Sequence, residues 1–296
     1  MKWDEGHESP DVIDRRGEGG GGGGGGGLGL LGLLPLITRF RGGWIIALLI
    51  VGFMMIGGLK GMFGGGGDTG DTTTTSAPVA GHKTEDKKAQ FVAFVLDDTQ
   101  ATWRQIFASK GKTYRNAKLV MFTGSTHTAC GGGQAAQGPF YCPNDERVYI
   151  DLSFYDELEQ RFGAKGDFAQ AYVIAHEIGH HVQKLLGITD RVEHARASMQ
   201  RGEEGTSVRL ELQADCFAGI WAHSTEQRQL LDPGDIDEAL NAAAAIGDDR
   251  IQKQAGGRVN PETWTHGSSA QRSRWFKTGY ERGDVAACDT FATPAP

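Results

Sequence analysis

Residues 176–180 read His-Glu-Ile-Gly-His. Two histidines four apart on a helix differ by only about 40° in direction, so both imidazoles can face one centre. Glu177, beside them, can reach a water held at that centre without being a ligand itself. Two histidines do not complete a catalytic zinc site, which takes three protein ligands and leaves a fourth position for water. A metzincin extension would want Gly at 183 and His at 186. This chain has Gln183 and Leu186 there, so that class is excluded. The other common third ligand is a glutamate on a later helix, and Glu211 in Glu-Leu-Gln-Ala-Asp (211–215) fits. Asp215 lies four further on, on the same face, where it can accept a hydrogen bond from the non-ligating nitrogen of a zinc histidine. Ala214 and Ala218 beside it would let this helix approach the first closely. An exposed acidic face is the alternative, but two carboxylates on a helix of Leu, Ala, Cys, Phe and Gly argue against it, because unpaired buried charge is costly.

These side chains need helices to hold them. Asp167 is expected to cap the free N–H groups of the first helix, with Gln170 at the capping-box return position and Gly187 as a left-handed stop. Further helices are expected at about 207–223, 233–246 and 269–282, the second opened by Asp232-Pro233. Upstream, Thr84 can cap a helix in which Phe91, Phe94, Val95, Thr99, Thr102, Trp103, Ile106 and Phe107 recur at spacings of three and four. Ala117–Gly124 and Arg147–Leu152 read as strands. Mixed helix and strand of this kind define an α+β domain, mainly helical with a small sheet.

The N-terminal part has a different composition. Of the 45 glycines in 296 residues, 24 fall within residues 1–70, including the homopolymer Gly19–Gly27. Residues 1–41 are expected to be a disordered, glycine-rich cytoplasmic segment. Gly42–Leu59 is uncharged and closed by Lys60, long enough to read, as 42–60, as one transmembrane helix. Residues 61–82 form a flexible linker, and 83–296 the folded domain. Arg39 and Arg41 before the apolar run give a positive-inside bias, placing the N-terminus in the cytoplasm and the domain outside. With 30 Lys+Arg against 37 Asp+Glu, a net charge of −7 and no basic cluster, a nucleic-acid-binding surface is not expected. The four cysteines divide into two plausible pairs. Cys130 and Cys142 bracket a glycine-rich loop, and Cys216 with Cys288 would tie down the C-terminal tail; a free buried thiol is the alternative for Cys216. Two disulfides would require an oxidising compartment.

Together, His176–His180 with Glu211–Asp215 look like the gluzincin arrangement of zinc proteases. The stretches GPFYCPNDERVYIDLSFY, AHEIGHHVQ, ELQADCFAG, AIGDDRIQ and THGSSAQRSRWFKTGY resemble the family described as "putative neutral zinc metallopeptidase", found in bacterial membrane-anchored proteins. The likeness runs over about residues 80–291 and extends to the opening ESPDVIDRRG. It implies a zincin-like domain, one Zn²⁺ ion, a peptide or protein substrate, and a single-pass location in the bacterial inner membrane; it does not imply an oligomeric state. Zinc on His176, His180 and Glu211 with Glu177 as general base would hydrolyse peptide bonds. The strand Arg147–Leu152 could offer an edge to an extended peptide. His266 is a candidate oxyanion donor, while His127, His194 and His223 have no supporting pattern and His181 lies on a different face. A zinc hydrolase acting on a non-peptide bond and a non-catalytic binding or scaffold protein are the competing classes.

Overall fold

The computed structural model describes residues 1–18, 80–193 and 201–296. Its sheet is built around a run that is apolar on both faces. In β2 (Lys118–Phe122) every residue after Lys118 is buried, as a strand covered on both sides requires. It pairs in parallel with β1 (Val12–Asp14) on one side and β6 (Arg147–Asp151) on the other. β5 (Phe140–Cys142) adds antiparallel to β6, giving the order β1-β2-β6-β5. β6 is therefore interior, and the expectation that it offers a free edge is corrected: the edge is β5. Alternation divides the strands between two cores. Leu119, Met121, Val148 and Ile150 join the main core, whereas Val120, Phe122 and Tyr149 pack with Cys142 in a smaller cluster. A separate hairpin, β3 (Ser125–Thr128) with β4 (Gly131–Gln134), is fastened near this smaller cluster by the Cys130–Cys142 disulfide.

Among the described residues there are eight α-helices: α1 (Ala80–Ser109), α2 (Phe154–Gln160), α3 (Asp167–Leu185), α4 (Ile188–Glu193), α5 (Thr206–Gln227), α6 (Asp235–Ala245), α7 (Asp248–Gln254) and α8 (Ser269–Arg282). α3, the helix of the two histidines, is packed by α1, α5 and α6. Its expected cap is corrected. Gly166 is the N-cap and Asp167 the first helical residue, with no side-chain cap bond. The Phe168 N–H instead donates to Glu238 of α6, and Gly187 takes up the expected left-handed stop at φ 68°. α1 starts at Ala80, ahead of Thr84, and Pro233 lies in the turn before α6, whose N-cap is Gly234. α8 keeps its expected bounds because its signal is local: Ser268 and Gln271 form a reciprocal capping box. α5 and α8 touch backbone to backbone, since a Cβ on Gly279 would lie 1.9 Å from the Cys216 carbonyl oxygen. The Cys216–Cys288 disulfide joins α5 to the tail, and all four cysteines are bonded.

Residues 1–18 belong to this same unit, contrary to the expected disordered leader. β1 hydrogen-bonds to β2, and Trp3 packs against Phe91 and Phe94 of α1. Asp11 accepts from Lys118, Asn116 and Gln100. The Met1 α-ammonium lies 2.8 Å from Asp167 Oδ1 and 3.3 Å from Asp235 Oδ2, so the acidic group Asp167, Asp235 and Glu238 already has a cation. This overturns the expected membrane topology. Residues 42–60 lie outside the described residues, as does most of the 61–82 linker. Among the described residues, no helix is long and apolar enough to cross a membrane. One crossing between residues 18 and 80 would put β1 and β2 on opposite sides of a bilayer, yet they share a sheet. A single-pass arrangement with a cytoplasmic N-terminus and an extracytoplasmic domain is incompatible with that pairing.

Candidate metal centre

α3 presents His176 and His180 toward α5, and α5 presents Glu211 back. Their ligand atoms all lie within 4.8 Å of one another. His176 Nε2 is 3.2 Å from Glu211 Oε2 and His180 Nε2 is 3.4 Å from Glu211 Oε1. Ligands at zinc distances of about 2.0–2.1 Å in a tetrahedron stand about 3.3–3.4 Å apart, so the spacing fits that ion. The close approach of the helices depends on Gly179, where a Cβ would lie 2.9 Å from the Ala214 carbonyl oxygen. Ala214 is one of the two small residues expected at this crossing.

The outer nitrogens of both imidazoles are engaged. His176 Nδ1 lies 2.8 Å from Asp215 Oδ1, and His180 Nδ1 lies 2.9 Å from Gln183 Oε1. A carboxylate and an amide oxygen can only accept, so each Nδ1 carries the hydrogen and each Nε2 is left for a cation. Gln183 is oriented in turn by donating to the Leu210 carbonyl and Gln213 Oε1. Asp215 is fully buried and its carboxylate is saturated. The Tyr172 hydroxyl and Arg272 Nη2 also donate to Oδ1, and Arg272 Nε donates to Oδ2 at 2.9 Å. Burial opposes the charge on Asp215, but the Arg272 guanidinium and His176 outweigh it and lower its pKa. Burial likewise opposes charge on His176, yet Asp215 and Glu211 push it up to about 10. Despite burial, His180 and His176 hold the Glu211 carboxyl well below the usual range. A pocket that draws protons onto histidines in this way is electrostatically made for a cation.

Glu177 lies beside the ligands with its carboxyl pKa raised by burial, a shift that His176 and His180 oppose. It opens onto a cleft of about 590 Å³ that follows α3 from Val173 to Gln183. An apolar wall of Phe154, Phe162, Val173, Ile246 and Ile251 lines it, and Gly138–Tyr141 forms a rim that adjoins Phe154 through Gly138. His266 lines the same cleft. Its Nδ1 lies 3.1 Å from Asp248 Oδ1, while Asp248 Oδ2 accepts the backbone N–H groups of Thr265, His266 and Gly267. That hydrogen bond to Asp248 raises the His266 pKa against burial.

His127 and His223 stay away from the centre. His127 is exposed on β3, His223 Nδ1 binds the Tyr280 carbonyl, and His194 lies outside the described residues. Arg272, Tyr172 and Gln183 are the partners that reading the sequence missed. Arg272 did leave a signal: it lies on the stripe of α8 that buries Trp275, Phe276 and Gly279, where an arginine must have a buried partner.

Fold and centre together define a candidate helix-borne metal site of two histidines and a glutamate in an α+β domain. A model of the family described as "putative neutral zinc metallopeptidase" matches residues 1–291, and the chain belongs to that family. It is 49% identical to an uncharacterized protein, YpfJ, of Escherichia coli (strain K12), over 98% of this chain and 99% of that protein. It is 46% identical to an uncharacterized protein, Rv2575, of Mycobacterium tuberculosis (strain ATCC 25618 / H37Rv), over 66% of this chain and 68% of that protein. No solved structure matches.

Proposed function

We propose that the chain is a zinc-dependent endopeptidase in which His176, His180 and Glu211 hold the ion and Glu177 is the general base. The observation that carries the reading is the convergence of the three donors beside an otherwise unengaged, buried Glu177 in an open cleft. When bound, zinc supplies a Lewis acid that acidifies water and polarises a carbonyl. Glu177 takes one proton from the attacking water as the new C–O bond forms. It delivers that proton to the amide nitrogen as the C–N bond breaks, and the second water proton, left on the new carboxyl group, passes to the released amine, giving a carboxylate and an ammonium. His266, held through Nδ1 by Asp248, donates from Nε2 in its protonated form to the carbonyl oxygen as that oxygen gains charge. Substrate backbone aligns along β5, the edge strand on the rim of the cleft. Val173 lies one turn before Glu177 on α3, so the apolar wall receives a large apolar side chain next to the bond that breaks.

The test is metal content and peptide cleavage measured on the same preparations of wild type and Glu177→Gln. Glu177→Gln keeps all three ligands and should retain near-stoichiometric zinc while losing roughly 10²–10⁴ in rate. Full activity in that variant would remove the mechanism. Zinc-loaded wild type that hydrolyses esters or amidines but no peptide would move the chain to a non-peptide hydrolase.

A further inference from the structure

His181 follows the second metal-site histidine directly and takes no part in the metal chemistry, yet it is fully buried. Its Nε2 lies 2.7 Å from the Arg115 carbonyl oxygen, which can only accept, so Nε2 carries the hydrogen in the neutral ring. Nδ1 is then an acceptor, and the Tyr141 hydroxyl donates to it at 3.0 Å. The ring of Tyr114 closes the pocket edge-on at 5.5 Å. Tyr141 is the middle residue of β5, the three-residue edge strand on the rim of the cleft.

The neighbours of Tyr141 point the other way and are held there too. Phe140 stacks on Tyr149 with centroids 5.1 Å apart. The ring fits against the hairpin only because residue 133 is glycine, where a Cβ would lie 2.6 Å from Phe140. Cys142 is bonded to Cys130 at the hairpin turn. A three-residue edge strand has few ladder bonds of its own, and this one is gripped on both faces. The hairpin holds one face and α3, through His181, holds the other. The same helix thus carries the ligands on one side and the clamp for the cleft's rim on the adjoining side.

We propose that His181 is a positioning residue for peptide binding, which holds β5 in place through the Tyr141 hydroxyl; this rests on the peptidase reading above. Two measurements on the full chain test it. Tyr141→Phe keeps the ring and removes only the hydrogen bond, so it should fold normally. His181→Gln can still donate to Arg115 but offers Tyr141 no acceptor at the Nδ1 position, whereas His181→Asn restores one. Tyr141→Phe and His181→Gln should speed hydrogen exchange at the Phe140–Cys142 amides. Each should raise KM for a peptide about three- to tenfold, the size of one lost hydrogen bond, with kcat and zinc content unchanged. The double variant should be no worse than either single one, and His181→Asn should lie nearer wild type. Unchanged exchange in Tyr141→Phe would overturn the clamp. Faster exchange with unchanged KM would overturn its role in substrate binding, and loss of zinc in His181→Gln would make it part of the metal site. Failure of the peptidase reading looks different: wild type would hold zinc and cleave no peptide, while the exchange data would still decide the clamp.

Discussion

Asp215 shows how much of the candidate metal centre rests on a residue outside its three proposed ligands. It accepts from His176, Tyr172 and twice from Arg272, all in the interior. Arg272 is only 2% exposed, so removing it strands a buried carboxylate. Arg272→Met should cost about 3–5 kcal/mol of stability, read by chemical denaturation, and a cost under about 1 kcal/mol would mean the pair is not buried in solution. Asp215→Asn should weaken zinc affinity or activity by about 10–100-fold, since it disturbs the orientation of His176 without removing a ligand. His266 makes a pH prediction. Its pKa is raised by Asp248, so the protonated, donating form survives above the ordinary histidine value of about 6.5 and is lost as pH rises through the raised one. The basic limb of kcat/KM should therefore lie above that value. Asp248→Asn should move the limb to lower pH; a limb that stays in place would assign it to another group.

At the scale of elements, the candidate metal centre depends on how closely two helices cross. Glu211 meets the histidines because α3 and α5 touch at Gly179 and Ala214. Both nearest atoms to a Cβ at Gly179 are backbone, at 2.9 and 3.0 Å, and neither can rotate away. Gly179→Ala should cost about 1–3 kcal/mol and weaken zinc binding more than a comparable substitution elsewhere on α3. Thermal melts with and without zinc separate the two effects: a stability loss with unchanged zinc affinity would show that the ligands tolerate the helix shift. α5 is held from behind as well, by α8 through Gly279 and by the tail through Cys216–Cys288. That bridge closes a separation of 72 residues, so replacing both cysteines should lower stability by about 2–5 kcal/mol.

For the whole molecule, the telling contact is between chain segments more than a hundred residues apart. β1 covers one edge of β2, and Asp11 gathers Lys118, Asn116 and Gln100 around the start of that strand. A fragment beginning at residue 80 therefore lacks a sheet strand, the half-buried Trp3 packed on Phe91 and Phe94, and the cation between Asp167 and Asp235. It should melt well below a chain in which residues 1–18 are joined to residue 80 by a short linker. Equal melting temperatures for the two would show that the N-terminal segment is dispensable.

The legible parts of this protein were those governed by short spacing. A four-residue interval sets two side chains on one helix face whatever surrounds them, so His176 with His180 and Glu211 with Asp215 could be read directly. The run Arg147–Leu152 marked a strand in the same local way, and it forms as Arg147–Asp151. What sequence could not decide is which distant groups meet. Arg272 and Tyr172 are a hundred residues apart and share one carboxylate. The 42–59 run looked like a single-pass anchor because hydropathy is summed over a window, and no window contains the pairing of residues 12–14 with 119–121. Whether a strand is an edge or interior, and whether a buried histidine binds a metal or a tyrosine, depends on what packs beside it, and packing is settled only when the whole chain closes around one core.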